Sequence, residues 1–353
     1  MLTGCYAQLE PEIGKSLGRG VTVVSNDKKA DIPEVILSMF GIRSKDSQAV
    51  KLISRMNGHS RAFIKIQEGC REKCSYCVIW KVRGRPQSRE PRDIIDEINA
   101  LYENGYREVV LTGVHIGRYK KHLNLTELLE EIMKSTDIPR IRLSSLKPNE
   151  FKDELIQLLA DQPRICSHVH LPIQSGDDEI LKAMGRKYKA ASISALTNRL
   201  VEARPDITIG ADIIVGFPGE TESHFENTVE LVKDSPIHHL HVFSYSDRPG
   251  TEASLMPDKV APEDKARRSE RLRRIGVKKK RAHAERFVEK TLDIIVEDRK
   301  RSGRLTGISG NYLRVEFDGD ESLRRKHIKI RISLSEKDTL IGDPTSIAII
   351  KKG

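Results

Sequence analysis

Six short apolar runs punctuate the middle of this chain, separated by longer amphipathic stretches. AFIKI (Ala62 to Ile66), EVVLT (Glu108 to Thr112), RIRLSS (Arg140 to Ser145), SHVHLPI (Ser167 to Ile173), ITIGADIIV (Ile207 to Val215) and HLHVF (His239 to Phe243) have the composition of buried strands. Between them, apolar positions at helical spacing predict helices at about Arg92 to Asn104, Leu125 to Lys134, Glu150 to Ala160, Asp177 to Met184, Ala190 to Glu202 and Glu222 to Lys233. This alternation predicts an α/β fold with a parallel sheet. Right-handed crossovers curl such a sheet into an open barrel whose functional rim lies after the carboxyl ends of the strands. Past Glu289 the pattern shortens to TLDIIVED (Thr291 to Asp298), GRLTGIS (Gly303 to Ser309), NYLRVEF (Asn311 to Phe317), HIKIRI (His327 to Ile332) and TSIAII (Thr345 to Ile350). Five such strands suit a small OB-like β-barrel.

A chain of 353 residues has room for two or three domains. The opening MLTGCYAQLEPEIG has no basic region followed by an apolar one, and nowhere do eighteen apolar residues run together, so a cytoplasmic protein without a membrane partner is expected. Of the formal charge of +10, a balance of +9 falls between Lys265 and Lys290, where twelve Lys/Arg face three Asp/Glu. This proline-free segment follows Pro262-Glu263-Asp264 and predicts one long basic helix. It reads either as a solvated face between domains or, favoured by the concentration of charge, as a polyanion contact. A second basic cluster, Arg324 to His327 with Lys329 and Arg331, reads as an RNA contact or as a strand edge protected by charge.

The chemistry-bearing feature is the run Cys70-Arg71-Glu72-Lys73-Cys74-Ser75-Tyr76-Cys77. Three thiolates can hold a [4Fe-4S] cluster while leaving one iron without a protein ligand, which makes that iron a reaction site. A zinc knuckle would need a fourth Cys or His a short step away, and the nearest downstream candidate, His115, is almost forty residues on. Five cysteines in so long a chain do not read as a secreted disulfide framework. The run follows the first strand directly and so lies on the functional rim. Cys166 precedes the fourth strand, roughly 23 Å away at the opposite rim by strand rise, and reads as a small buried hydrophobe. Other rim loops have the composition expected around a nucleoside cofactor, and single out Gly113, Ser144, Gln174, Gly216, Gly219 and Glu220 as cofactor contacts. The pairs His168/His170 and His239/His241 alternate along strands, share a face, and read as hydrogen-bonded barrel residues rather than metal ligands.

Cys70-x3-Cys74-x2-Cys77 after the first strand of a partial barrel resembles the radical S-adenosylmethionine superfamily, in which the cofactor's amino and carboxylate groups occupy the open iron. GCYAQ (Gly4 to Gln8), LPIQSG (Leu171 to Gly176), LKAMGRKY (Leu181 to Tyr188), DIIVGFPGET (Asp212 to Thr221) and FSYSDRPGT (Phe243 to Thr251) narrow the resemblance to the methylthiotransferases. GCYAQ, LTGVHIG and RLSSLKP look most like the branch acting on N6-threonylcarbamoyladenosine beside the tRNA anticodon. The resemblance implies a partial (β/α)6 radical SAM barrel over 56–260, a basic helical linker over 261–288, a TRAM-like barrel over 289–353, and a remnant of an N-terminal α/β domain over 1–50. It further implies S-adenosylmethionine as cofactor, the tRNA anticodon stem-loop as partner and a reductant of the flavodoxin or ferredoxin type. The expected reaction begins with reductive cleavage of the sulfonium to a 5′-deoxyadenosyl radical, and ends with a methylthio group on the adenine C2.

The family also places an auxiliary [4Fe-4S] cluster on three N-terminal cysteines, and only Cys5 in GCYAQ matches one of them, the third. With Val21 to Val24 and Asp31 to Met39 as the remaining strand and helix, the expectation is a misplaced start or a truncated product, and one complete cluster rather than two. Two other readings stay open: a methylthiotransferase acting on a ribosomal protein, and a non-catalytic RNA-binding protein with a structural metal or cluster.

Overall fold

The computed structural model describes residues 1–18, 20–42, 53–301 and 303–350; part of the expected N-terminal remnant, 43–50, lies outside them. Six parallel strands form an open barrel: β1 (Ala62–Glu68), β2 (Glu108–Gly113), β3 (Arg140–Leu143), β4 (His168–Gln174), β5 (Thr208–Val215) and β6 (His239–Ser244). Alternate residues such as Ile64, Val109, Ile141, Val169 and Ala211 are fully or almost fully buried under the surrounding helices. The helices supply matching stripes, for instance Ile94, Ile98 and Leu101 of Pro91–Glu103. A capping box fixes the start of Leu125–Ser135, where the Asn124 side chain accepts from Thr126 and Glu127 N–H and Glu127 accepts from Asn124 N–H.

The expected single sheet is two sheets. β1, β2 and β3 pair in parallel, with two-residue Gln87–Ser88 antiparallel at the β1 edge, while β4, β5 and β6 form a second parallel set. The seam between β3 and β4 is one parallel bridge, Ile141 to Ile165, with Ile141 N–H donating to Arg164 C=O (2.8 Å) and Cys166 N–H to Ile141 C=O (2.9 Å). Past the end of short β3 the two sets touch again, where Leu146 N–H donates to His170 C=O (3.0 Å).

The carboxyl-terminal part is a closed barrel of β7 (Thr291–Arg301), β8 (Arg304–Ser309), β9 (Arg314–Phe317), β10 (His327–Glu336) and β11 (Thr339–Gly342), with β12 (Ala348–Ile349) outside on β10. The order β7-β8-β9-β11-β10 closes back on β7, and β9 runs parallel to β11, as in an OB-fold. The closing strand β11 was absent from the sequence reading, and the expected strand Thr345 to Ile350 shrinks to two residues. This barrel docks on the floor of the first one. Glu108, without solvent exposure, takes both Arg142 (2.7 Å) and Arg140 (2.6 Å); Arg140 Nη1 also reaches Ile308 C=O, and the Arg142 Nη groups reach the carbonyls of Ser309 and Gly310. Two cations pull the Glu108 carboxyl down to about 2 although burial alone pushes it up. Tyr312, at φ +64°, stacks on His168 at the same floor.

The basic helix runs over Pro262–Glu285, and its cations are engaged mostly by protein. Arg267 and Arg268 grip Glu222, Arg268 also takes Glu220 (2.7 Å), and Arg271 pairs with Glu226. Lys279 donates to the carbonyls of Val232, Lys233 and Ser235, and Lys280 reaches Asp338 (2.6 Å) in the second barrel. The helix is thus also a strut between the barrels, and Glu220, Glu222, Glu226 and Asp338, which lie outside the counted segment, take up part of its charge.

At the amino end Leu2–Thr3 pairs in parallel with Val23–Val24, and a helix follows at Ile32–Met39. Asn26 Nδ2 donates to Val82 C=O (2.8 Å), tying this part to the cysteine side of the barrel.

Candidate cofactor and nucleic-acid site

The cysteine run leaves β1 through Gly69, whose φ of +76° and 2.2 Å approach of any Cβ to Arg85 C=O admit only glycine. The loop is then pinned from distant segments. Cys70 N–H donates to Gly84 C=O (3.1 Å), Ser75 N–H to Met184 C=O (3.3 Å), Ser75 Oγ to Ala183 C=O (2.8 Å), and Ala253 N–H to Ser75 C=O (2.8 Å). Cys70, Cys74 and Cys77 thereby line one cavity of about 350 Å³. Thiolates on a single zinc ion stand roughly 3.8 Å apart, given Zn–S bonds of about 2.3 Å. Among the described residues the three thiols do not fall within 4.8 Å of one another as the His170, Asp212 and His241 ligand atoms do.

Sequence distance hid His115. The end of β2 returns it to the loop, with Nδ1 3.9 Å from Cys70 Sγ and Nε2 hydrogen-bonded to Glu150. Gln67 Oε1 accepts from His115 N–H (2.7 Å) and fixes the backbone there. Burial pushes the Cys70 thiol up, but the His115 contact, the Glu72 N–H at 3.3 Å and the charge of Lys147 together bring it below its ordinary value. Burial pushes the Cys77 thiol up, net. His115 itself is held above its ordinary value: burial opposes this, and Cys70 and Glu150 outweigh it. Arg186 also lines the cavity; one guanidinium nitrogen meets Tyr76 Oη, while buried Nε and Nη1 have no partner. A buried guanidinium with unpartnered N–H groups beside a cavity suits an anion such as a carboxylate.

The rim residues singled out from sequence sit at strand ends as expected, but the cavity lining is contributed by their neighbours Val114, Ser145 and Pro172. Gly113 is required because a Cβ would lie 2.6 Å from Gln67 C=O, and Ser144 N–H extends the sheet to Leu111 C=O (3.0 Å). Gln174, buried, takes the left-handed conformation (φ +71°) at a bulge in the β4–β5 ladder. Gly216 approaches Lys265 too closely for any side chain, and Gly219 N–H donates to Asp258 C=O (2.9 Å). Glu220 accepts from Gly216 N–H (2.9 Å) and Arg268 (2.7 Å), so its carboxylate anchors the loop to the basic helix. Cys166 is buried at the floor, as expected, and Cys5 Sγ accepts from Arg83 Nε (3.2 Å), an arginine that also lines the thiol cavity.

A second cavity of about 690 Å³ adjoins the first and shares Glu72 and His115 with it. Arg71, Lys73, Arg118, Lys120 and Lys187 line it, against the single acid Glu72, which Arg118 takes at 3.1 Å. Among the described residues Arg71, Lys120 and Lys187 have no carboxylate partner. Four separate chain segments assemble this basic groove, so no local charge run announced it.

The Radical SAM superfamily description matches residues 64–232. The chain is 35% identical over 349 residues to threonylcarbamoyladenosine tRNA methylthiotransferase MtaB of Thermotoga maritima, across 96% of this chain and 80% of that protein. It is 33% identical over 358 residues to tRNA-2-methylthio-N(6)-dimethylallyladenosine synthase of Staphylococcus epidermidis, across 96% and 69% respectively. Of solved structures, the cobalamin-dependent S-adenosylmethionine radical enzyme OxsB with aqua-cobalamin and S-adenosylmethionine bound shares the fold, with a TM-score of 0.51 at 9% identity over 77% of this chain and 42% of that one.

Proposed function

Because the chain belongs to the tRNA methylthiotransferases of the radical SAM superfamily, we propose that it adds a methylthio group to C2 of N6-threonylcarbamoyladenosine next to the anticodon. The observation that carries this reading is the basic groove opening onto the thiol cavity through shared Glu72 and His115: phosphate attraction and the reaction chamber adjoin. Overall identity is nearly the same to the threonylcarbamoyl and dimethylallyl enzymes, and the segments GCYAQ, LTGVHIG and RLSSLKP favour the former.

In this reading Cys70, Cys74 and Cys77 hold a [4Fe-4S] cluster, which when bound supplies the electron that cleaves S-adenosylmethionine. His115, Lys147 and the Glu72 amide outweigh burial and hold the Cys70 thiol below its ordinary value, which favours ligation. The Arg186 guanidinium, with Nη2 on Tyr76, offers one of its remaining N–H groups to the cofactor's carboxylate, and Ser145 and Pro172 line the same cavity. Arg71, Lys120 and Lys187 take phosphates and orient the stem-loop. The OB-like barrel, docked at the opposite floor, holds the chamber closed from below.

The test is anaerobic reconstitution, incubation with reductant, S-adenosylmethionine and tRNA lacking methylthio groups, and nucleoside mass spectrometry. The expected product is 2-methylthio-N6-threonylcarbamoyladenosine. Methylthiolation of the dimethylallyl nucleoside alone, or of a ribosomal protein in place of tRNA, overturns the assignment.

A further inference from the structure

A second cluster of chemistry-bearing side chains lies inside the open barrel, apart from the thiols. In β4, β5 and β6 the residues Val169, Leu171, Ala211, Ile213 and Val242 pack into the core beneath the helices. The alternating His170, Asp212 and His241 therefore project from the inner face. His170 Nε2 lies 2.8 Å and His241 Nδ1 3.3 Å from the same oxygen, Asp212 Oδ1, and all three atoms fall within 4.8 Å of one another. Register produces the meeting: Asp212 is directly opposite His241, and His170 is opposite Gly210. A Cβ at residue 210 would stand 2.6 Å from His170 Nδ1, so glycine there leaves room for the ring to lie over β5. His241 is about half exposed and the other two are partly buried, so the cluster is walled on one side and open on the other.

We propose that His170, Asp212 and His241 form a mononuclear site for a divalent transition ion of the zinc class, with an open coordination position toward the barrel interior. Two imidazoles and a carboxylate are a zinc and ferrous ligand set. The His241 Nδ1–Asp212 Oδ1 separation matches the roughly 3.3 Å edge of a tetrahedron with bonds of about 2.0–2.1 Å, while His170 Nε2, at 2.8 Å, hydrogen-bonds Asp212 directly and opens by about half an ångström to admit the ion. His239 supports the assignment, its Nε2 lying 2.8 Å from Nε2 of His241. When Nδ1 of His241 binds the ion, its Nε2 carries the proton and donates to His239, which fixes tautomer and ring orientation. The open position faces the same side as Pro172, one strand repeat beyond His170, which lines the thiol cavity. The site stands on this geometry alone and does not depend on methylthio transfer.

The experiment uses the full chain with Cys70→Ala, Cys74→Ala and Cys77→Ala, so that the loop thiols cannot capture the ion. Zn2+ is titrated in competition with a chromophoric chelator, and Co2+ is followed by its visible spectrum. One ion per chain is expected, with Co2+ bands of nitrogen and oxygen ligation and no thiolate charge-transfer band. His241→Ala and Asp212→Asn should each weaken binding by more than about 100-fold, and His239→Gln by about 10-fold or more. Absence of binding, a thiolate band, or affinity unchanged in His241→Ala overturns the proposal. His241 is half exposed, so that variant serves if Asp212→Asn does not fold, as read by circular dichroism.

Discussion

Replacing Glu108 by glutamine removes the one negative charge between two buried arginines while keeping the side chain's shape. A carboxyl held at about 2 rather than its ordinary 4.5 corresponds to roughly 3 kcal/mol of stabilisation at neutral pH. Glu108 is fully enclosed, so solvent screening takes little from that figure. Breaking a buried ion pair from one side costs about 3–5 kcal/mol, because the partner charges stay buried; here the stranded partners are Arg140 and Arg142, with Arg61 3.6 Å away. A loss of about 3 kcal/mol is therefore expected for Glu108→Gln, read as a lower urea midpoint at pH 7 by circular dichroism. The folded-state value lies below the unfolded one, so the contribution is fully present above about pH 4.5 and fades as pH falls toward 2. The penalty for Glu108→Gln should shrink over that window. Because the same arginines donate to Ile308, Ser309 and Gly310, limited proteolysis should also cut the variant faster between the two barrels. A loss below about 1 kcal/mol, or a penalty that does not change between pH 7 and pH 3, would refute this account of the floor.

Three further outcomes follow from the site. His115→Ala removes the main group lowering the Cys70 thiol, so alkylation of Cys70 in the cluster-free chain should shift to higher pH, as followed by peptide mass spectrometry; an unchanged profile would count against the contact. Arg186→Ala should weaken S-adenosylmethionine binding to reconstituted protein by roughly 10- to 100-fold, the worth of a charge-assisted hydrogen bond, measured by equilibrium dialysis; unaltered affinity would sink the carboxylate role. Lys120→Ala with Lys187→Ala should lower tRNA affinity and reduce the salt slope by between about 1 and 2, whereas Arg271→Ala on the basic helix should leave both unchanged because Arg271 is held by Glu226.

The barrel strands were legible because a strand buried under helices reads as a dense apolar run, and six such runs leave little freedom in how the chain is wound. The thiol loop was legible because its three cysteines are local. His115 was not, since its approach to Cys70 depends on β1 and β2 being neighbours, which no short window contains. The strut role of the basic helix was hidden for a related reason: its charge is local, but Glu220, Glu222, Glu226 and Asp338, which take up part of it, are remote. The groove shows the converse, being dispersed in sequence and gathered in space. β11 escaped notice because Thr339–Gly342 is four residues ending in glycine, too short for a period of two to stand out.

The clamps on Ser75 from Met184, Ala183 and Ala253 join protein to protein. Fixing backbone costs roughly 1–2 kcal/mol per residue, and for Cys70 to Cys77 these protein hydrogen bonds offset part of that cost. Zinc fingers, by contrast, gain their shape only with the metal. Here the scaffold of the thiol segment is drawn from three remote stretches of the same barrel, so its shape is tied to the fold of the whole domain.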